Sequence, residues 1–208
     1  MIEYVIPENP DNRILSKCSE QLNSGSLIAF PTDTNWIIAC DPWSKTGVEA
    51  LYRFKGESKQ KHFAFLCPSI AMASEVGVVT DSAYRLIRNR VPGNYTFIFK
   101  ATKLAMKAVK ASKTDHEVGI RIPPNSVVLK LLEYHGKPIL STNLTKEMLG
   151  IGEDDAVYSF MIEEKFGHSL SSILDPGEYE FAGASTIVDF SQGDFPILVR
   201  EGAGEVFC

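Results

Sequence analysis

Apolar and polar positions along this chain follow two periods in turn. Apolar runs of strand length fall at residues 2–6, 27–30, 36–40, 63–67, 95–100, 118–122, 170–174, 185–189 and 197–200. Between them, apolar residues recur at helical spacing. Ile14, Leu15, Cys18 and Leu22 mark one helix, which Asn23-Ser24-Gly25 stops. Ser44 caps a second that carries Val48, Leu51, Tyr52 and Phe54. Residues 69–76, 81–90 and 127–134 predict three more. Turn residues separate the elements at Pro92-Gly93-Asn94, Pro123-Pro124 and Pro176-Gly177. Strands and helices interleaved in this way predict an α/β fold. Residues 103–113 are basic and predict a lid or solvated loop, and 146–168 mix acids, glycines and helical spacing.

The stretch of residues 25–41 organises the rest. Leu27, Ile28, Ala29 and Phe30 make a buried strand, and Pro31, with no N–H for a sheet ladder, is expected to stop it. Thr32, Asp33 and Thr34 then crowd short polar side chains into a turn before a second apolar run. Open α/β sheets hold ligands at such strand ends, although threonine and aspartate also serve there as ordinary turn residues. Similar clusters end other strands: Ser141-Thr142-Asn143-Leu144-Thr145, Ser185-Thr186 and Arg200-Glu201-Gly202. Arg121 sits between two isoleucines, so it must face water or meet a partner, because an unpaired buried guanidinium is costly. Four basic side chains and one acid lie between Arg53 and Lys61, a run that serves either as a phosphate clamp or as a solvated loop.

Composition narrows the choices. The 208 residues are enough for one domain with a substantial core, and 44% hydrophobic with 23% charged residues suits a globular chain. A net charge of −5 excludes an electrostatic nucleic-acid binder as a whole, so any anion site must be local. The four cysteines form no CxxC pair, which predicts reduced thiols and a cytoplasmic protein. Neither a signal peptide nor a membrane-length apolar run is read. The four histidines lie in unrelated polar contexts and are read as surface or structural. Neither a nucleophile–base pair nor a metal-ligand cluster emerges. The inventory of hydroxyls, an amide and cations suits binding and aligning anions.

These motifs, in this order, resemble the YrdC/YciO family, whose best-known members are threonylcarbamoyl-AMP synthases. The resemblance rests on PTDT with a following apolar strand and CDP, the Lys-Gly helix exit, PGNYTFIFKAT, VGIRIP, PILST, STIVDF and VREGAG. It covers residues 14–204 of a single domain, 1–208. It implies an open, twisted mixed sheet with helices and a concave, locally basic surface. The implied activity joins L-threonine, bicarbonate and ATP into threonylcarbamoyl-AMP and pyrophosphate, for the threonylcarbamoyl-adenosine modification of tRNA. Carried over by position, Thr34, Arg121 and Ser185 would hold threonine, with Arg121 taking its carboxylate. Lys55, Ser141, Asn143 and Arg200 would hold ATP, and Mg2+ would arrive on the nucleotide. RNA and tRNA-modification proteins are further implied partners. All these side chains are therefore expected in one concavity.

The chain departs from the family pattern where Lys-x-Arg becomes Lys55-Gly56-Glu57, where the aromatic-glycine step becomes Asn35-Trp36-Ile37-Ile38, and where Ser-Thr-Ser-Ala-Asn shortens to Ser141-Thr142-Asn143. These changes lean towards the YciO branch. The alternative is a nucleotide- or double-stranded-RNA-binding protein of the same fold without synthase activity.

Overall fold

A computed structural model describes residues 1–56, 63–108, 116–193 and 195–208. In chain order its elements are β1 (Ile2–Tyr4), α1 (Asn12–Asn23), β2 (Leu27–Pro31), β3 (Trp36–Cys40), α2 (Lys45–Lys55), β4 (Ala64–Leu66), α3 (Ile70–Val76), α4 (Asp81–Ile87) and β5 (Tyr95–Lys100). There follow α5 (Lys103–Ala108), β6 (Glu117–Arg121), α6 (Ser126–His135), β7 (Ile139–Asn143), α7 (Lys146–Leu149), α8 (Ser159–Phe166), β8 (Leu170–Asp175), β9 (Thr186–Asp189) and β10 (Ile197–Arg200). Short polar side chains start many of the helices. Asp11, Ser44, Ser69, Thr80, Asn125 and Thr145 each accept a backbone N–H that the first turn would otherwise leave unpaired.

The strands join one mixed sheet in the order β1-β8-β2-β3-β7-β4-β6-β5-β9-β10. Its β3–β7–β4 centre is antiparallel, while β4–β6 and β5–β9 run parallel. One face carries the larger core, where Ile38, Cys40, Phe65, Phe97, Ile120, Leu140 and Val188 pack with Leu51, Val76, Ile87 and Ile162 from α2, α3, α4 and α8. The second face is covered over only part of its width. There Leu15, Cys18 and Leu22 of α1 and Val128, Leu131 and Leu132 of α6 bury Ile28, Phe30, Ile37 and Ala39.

Beyond that cover the same face is open, and register shows why. Ala39 lies opposite Ser141, Ser141 opposite Ala64, and Ala64 opposite Gly119. Residues directly opposite share a face, so a row of small side chains continues the floor outward from the covered half. The cleft lies over this row.

Some sequence expectations hold and others shift. Pro31 ends its strand as expected, and is itself paired as the last residue of β2, opposite Trp36, with the turn after it. Residues 103–108 are helical rather than loop, because Thr102 caps the turn and Ala105 is fully buried. The rest of that basic stretch, through residue 113, includes Lys110 and Lys113, which lie outside the described residues. The mixed region 146–168 resolves into α7 and α8. Cys18, Cys40, Cys67 and Cys208 are free thiols. Among the described residues no helix is long and apolar enough to cross a membrane.

Candidate functional site

The site begins at the turn after β2. Thr32 closes it, donating its N–H to Asn35 O at 2.9 Å and its hydroxyl to the same oxygen at 2.9 Å. Asn35 in turn donates to Leu144 O at 3.2 Å, tying the turn to the chain beyond β7. Asp33 and Thr34 are thereby held towards the end of β6, where Arg121 meets them. Arg121 is only 5% exposed. Its Nη2 donates to Asp33 Oδ1 at 2.6 Å, and its Nη1 donates to Thr34 Oγ1 at 2.8 Å and Thr32 Oγ1 at 3.4 Å. The partner that an Ile-Arg-Ile strand demands is therefore Asp33.

Burial pushes the Asp33 carboxyl above its ordinary value, although Arg121 pulls it down. Burial also lowers Arg121, and Arg200 adds repulsion while Asp33 opposes both. A guanidinium titrates so high that Arg121 stays charged at neutral pH.

Ser185, just before β9, shares a 2.8 Å hydrogen bond with Thr96 of β5. Its carbonyl oxygen accepts from Arg200 Nε at 3.2 Å and Nη2 at 2.8 Å. Arg200 is thus aimed by a backbone carbonyl, and its charge is not cancelled by a carboxylate in any ion pair found among the described residues. On the other side, Ser141 donates to Ala64 O at 3.0 Å, and Asn143 is exposed at the end of β7. Lys55, the last residue of α2, places Nζ 5.3 Å from the centre of the Phe63 ring, and burial lowers its ammonium pKa.

One cleft of about 2050 Å³ brings Thr34, Lys55, Arg121, Ser141, Asn143, Ser185 and Arg200 together. Every residue singled out for threonine or ATP lines it. Its rim is closed by residues 176–184, which sequence reasoning did not single out. That segment is pinned by Ala182 N to Asp33 O at 2.8 Å and by Asn125 Nδ2 to Tyr179 Oη at 2.7 Å. Thr96 was likewise missed, and Asp33, although placed in the polar turn, was not matched to Arg121. An acid in the PTDT turn opposite a strand-bound arginine was the signal available for Asp33.

The expected basic surface is not what the described lining presents. Glu117, Glu147, Glu153, Asp155, Asp175, Glu178 and Glu180 line the cleft against Lys55, Lys146, Arg121 and Arg200, and Arg121 is already paired. Five of these seven acids come from the two segments the sequence left least defined, 146–168 and 176–184, while Glu117 belongs to β6 and Asp175 to β8. The basic run beyond Lys55, with Glu57, Lys59, Lys61 and His62, lies outside the described residues. Among the described residues no three His, Cys, Asp or Glu side chains converge as a metal site.

Comparison with known proteins agrees with this geometry. The family profile for Sua5, YciO and YrdC, described as "Telomere recombination", matches residues 20–202. The Escherichia coli protein YciO, itself described as uncharacterized, is 31% identical over 203 residues, spanning 98% of this chain and 96% of its own. The E. coli YciO crystal structure superposes with a TM-score of 0.84 at 30% identity, covering 99% of this chain and 97% of that one. Mouse threonylcarbamoyl-AMP synthase is 27% identical over 207 residues, covering 95% of this chain and 70% of its own. Pyrococcus abyssi Sua5, crystallised with L-threonine, shares the fold at a TM-score of 0.81 and 21% identity, over 97% of this chain and 57% of that one. With this profile match and this full-length likeness to YciO, the chain belongs to the Sua5/YciO/YrdC family.

Proposed function

We propose that the cleft forms threonylcarbamoyl-AMP and pyrophosphate from L-threonine, bicarbonate and ATP, for threonylcarbamoyladenosine modification of tRNA. The observation that carries this reading is the convergence of hydroxyls, an amide and cations from β2, α2, β6, β7, β9 and β10 in one cleft. Relatives named for this activity, and a relative crystallised with L-threonine, support it.

In this reading the amino acid lies at the Thr34–Arg121–Ser185 end. Arg121 offers its remaining N–H capacity to the α-carboxylate, while the Thr34 and Ser185 oxygens orient the rest of the molecule. Lys55 and Arg200 take the phosphates, with Ser141 and Asn143 beside the nucleotide. The threonine amine and bicarbonate condense to a carbamate with loss of water. A carbamate oxygen then attacks the α-phosphorus, and pyrophosphate leaves. The protein's contribution is alignment of the reactants together with fixed positive charge where negative charge accumulates. Mg2+ would enter on the triphosphate, as the family resemblance implies.

A phosphate backbone needs a continuous basic track, and the lining formed by the described residues interrupts its cations with acids, which favours the small-molecule reading over a double-stranded-RNA binder. Incubation with ATP, L-threonine and 13C-bicarbonate, followed by mass spectrometry, tests the reading. A labelled threonylcarbamoyl-AMP is expected. ATP binding without any labelled adduct would instead support the nucleotide-binding alternative.

A further inference from the structure

The cleft is larger than a small-molecule site and its two ends differ in chemistry. Such sites enclose about 300–1,000 Å³, whereas this cleft measures about 2050 Å³. The residues assigned above to threonine and ATP belong to the β2 turn, α2, β6, β7, β10 and the start of β9. None belongs to β1 or β8, at the edge of the sheet beyond β2, or to α8, which packs on both. The cleft nevertheless reaches that edge, where Tyr4, Tyr158, Phe160 and Asp175 line it.

That end is built around bare aromatic rings. Tyr4 closes β1 and lies opposite Asp175, the last residue of β8. Ser159 is buried and donates to Asp175 Oδ2, which fixes the start of α8 against β8. Its neighbours Tyr158 and Phe160 stack on one another, with ring centres 5.7 Å apart and planes 11° from parallel. Tyr4, Tyr158 and Phe160 are 73%, 55% and 57% exposed, and among the described residues they meet no other ring. Large apolar side chains left bare along a groove mark an interaction surface.

The charge beside these rings selects the partner. Glu153 and Asp155 lie on the segment that leads into Tyr158, and Glu178 and Glu180 on the one that leaves Asp175; all four are exposed and line the cleft. Among the described residues none of these carboxylates enters an ion pair. The cation that shares this end is Lys146, whose ammonium is held by the Glu153 carbonyl oxygen. A guanidinium satisfies both features, since it stacks flat on an aromatic face and its N–H fork matches a carboxylate. An ammonium fits the carboxylates but not the stack.

We propose that the β1–β8 end of the cleft docks an arginine-bearing segment of a partner protein. Its guanidinium groups lie on Tyr4, Tyr158 and Phe160 and pair with Glu153, Asp155, Glu178 and Glu180. The partner is thereby held at the mouth of the same cleft whose other end carries Arg121 and Arg200.

Fluorescence anisotropy of labelled hexa-arginine against the full chain, without ATP or threonine, tests this independently of the proposed function. Saturable binding is expected, weakening as salt rises and at least about fivefold tighter than for hexa-lysine. Tyr158→Ala/Phe160→Ala should weaken it about tenfold and Glu178→Gln/Glu180→Gln about fivefold, with Tm unchanged because all four side chains are exposed. Glu133→Gln/Tyr134→Ala removes an exposed acid and an exposed ring from α6, outside the cleft, and should leave affinity as it is. An equal loss in that control, equal affinity for the two peptides, or binding of spermine without binding of hexa-arginine overturns the proposal.

Discussion

Replacing Arg121 with methionine should destabilise the whole protein, beyond any effect on ligand. Arg121 and Asp33 are each about 5% exposed and are joined at 2.6 Å. At that separation and an effective dielectric near 20, the attraction is about 6 kcal/mol. Desolvation of both ions offsets part of it, and removing one partner of a buried pair typically costs about 3–5 kcal/mol. For a chain of this size that corresponds to a fall in Tm of roughly 6–20 °C. The double variant Arg121→Met/Asp33→Asn removes both charges and should recover most of the loss. The pH dependence has a definite sign. Burial raises Asp33 in the folded state, so the folded protein binds more protons than the unfolded chain above the ordinary carboxylate value. Asp33 therefore contributes most stability below its unfolded pKa, and the contribution is lost as pH rises through its folded pKa. Without Arg121 the folded value climbs further, so Arg121→Met should gain stability steeply on acidification from neutral pH, and the double variant should not. Urea denaturation at a series of pH values measures this. A loss below about 1 kcal/mol for Arg121→Met at pH 7, with no rescue by Asp33→Asn, would refute the buried-pair argument.

Gly25 has φ +85°, and a Cβ there would come 2.3 Å from Thr46 Oγ1 and 2.5 Å from Ser44 Oγ, at the cap of α2. Gly25→Ala should cost about 1–3 kcal/mol, read from the denaturation midpoint. Ser185→Ala keeps the carbonyl that aims Arg200 but loses the 2.8 Å bond to Thr96. It should weaken threonine binding about fivefold in calorimetry while moving Tm little. The resemblance implies an arginine at the position of Glu57, and Glu57→Arg should tighten ATP binding at least about tenfold. An unchanged ATP Kd would show that residue 57 does not meet the nucleotide.

Much of this was legible in the chain because the relevant signals are local. Ser44 before an apolar helical pattern gave a true cap, with Gly47 N donating to its hydroxyl at 3.2 Å. The aromatic and β-branched run at 95–100 gave β5 to the residue. The strand-end clusters were visible as such, and the tertiary fold gathers their side chains along one cleft. What stayed hidden depended on distance in sequence. Arg121 demanded a partner, but nothing near it in sequence named Asp33, 88 positions away. The helical state of 103–108 was obscured by its lysines, which suit a solvated loop as well as an exposed helix face, and only the burial of Ala105 decides. The acid-rich wall arose from segments with weak periodicity, whose placement depends on the tertiary fold rather than local pattern.

Pyrophosphate release from ATP, followed in parallel with L-threonine and bicarbonate both present and with each left out, bears most directly on what the cleft does. Release that requires both co-substrates, and that falls at least about a hundredfold in Arg200→Ala, where a charge-stabilising contact is removed, is the predicted result. Release that is absent with all three substrates present, or that proceeds equally without threonine, would contradict it.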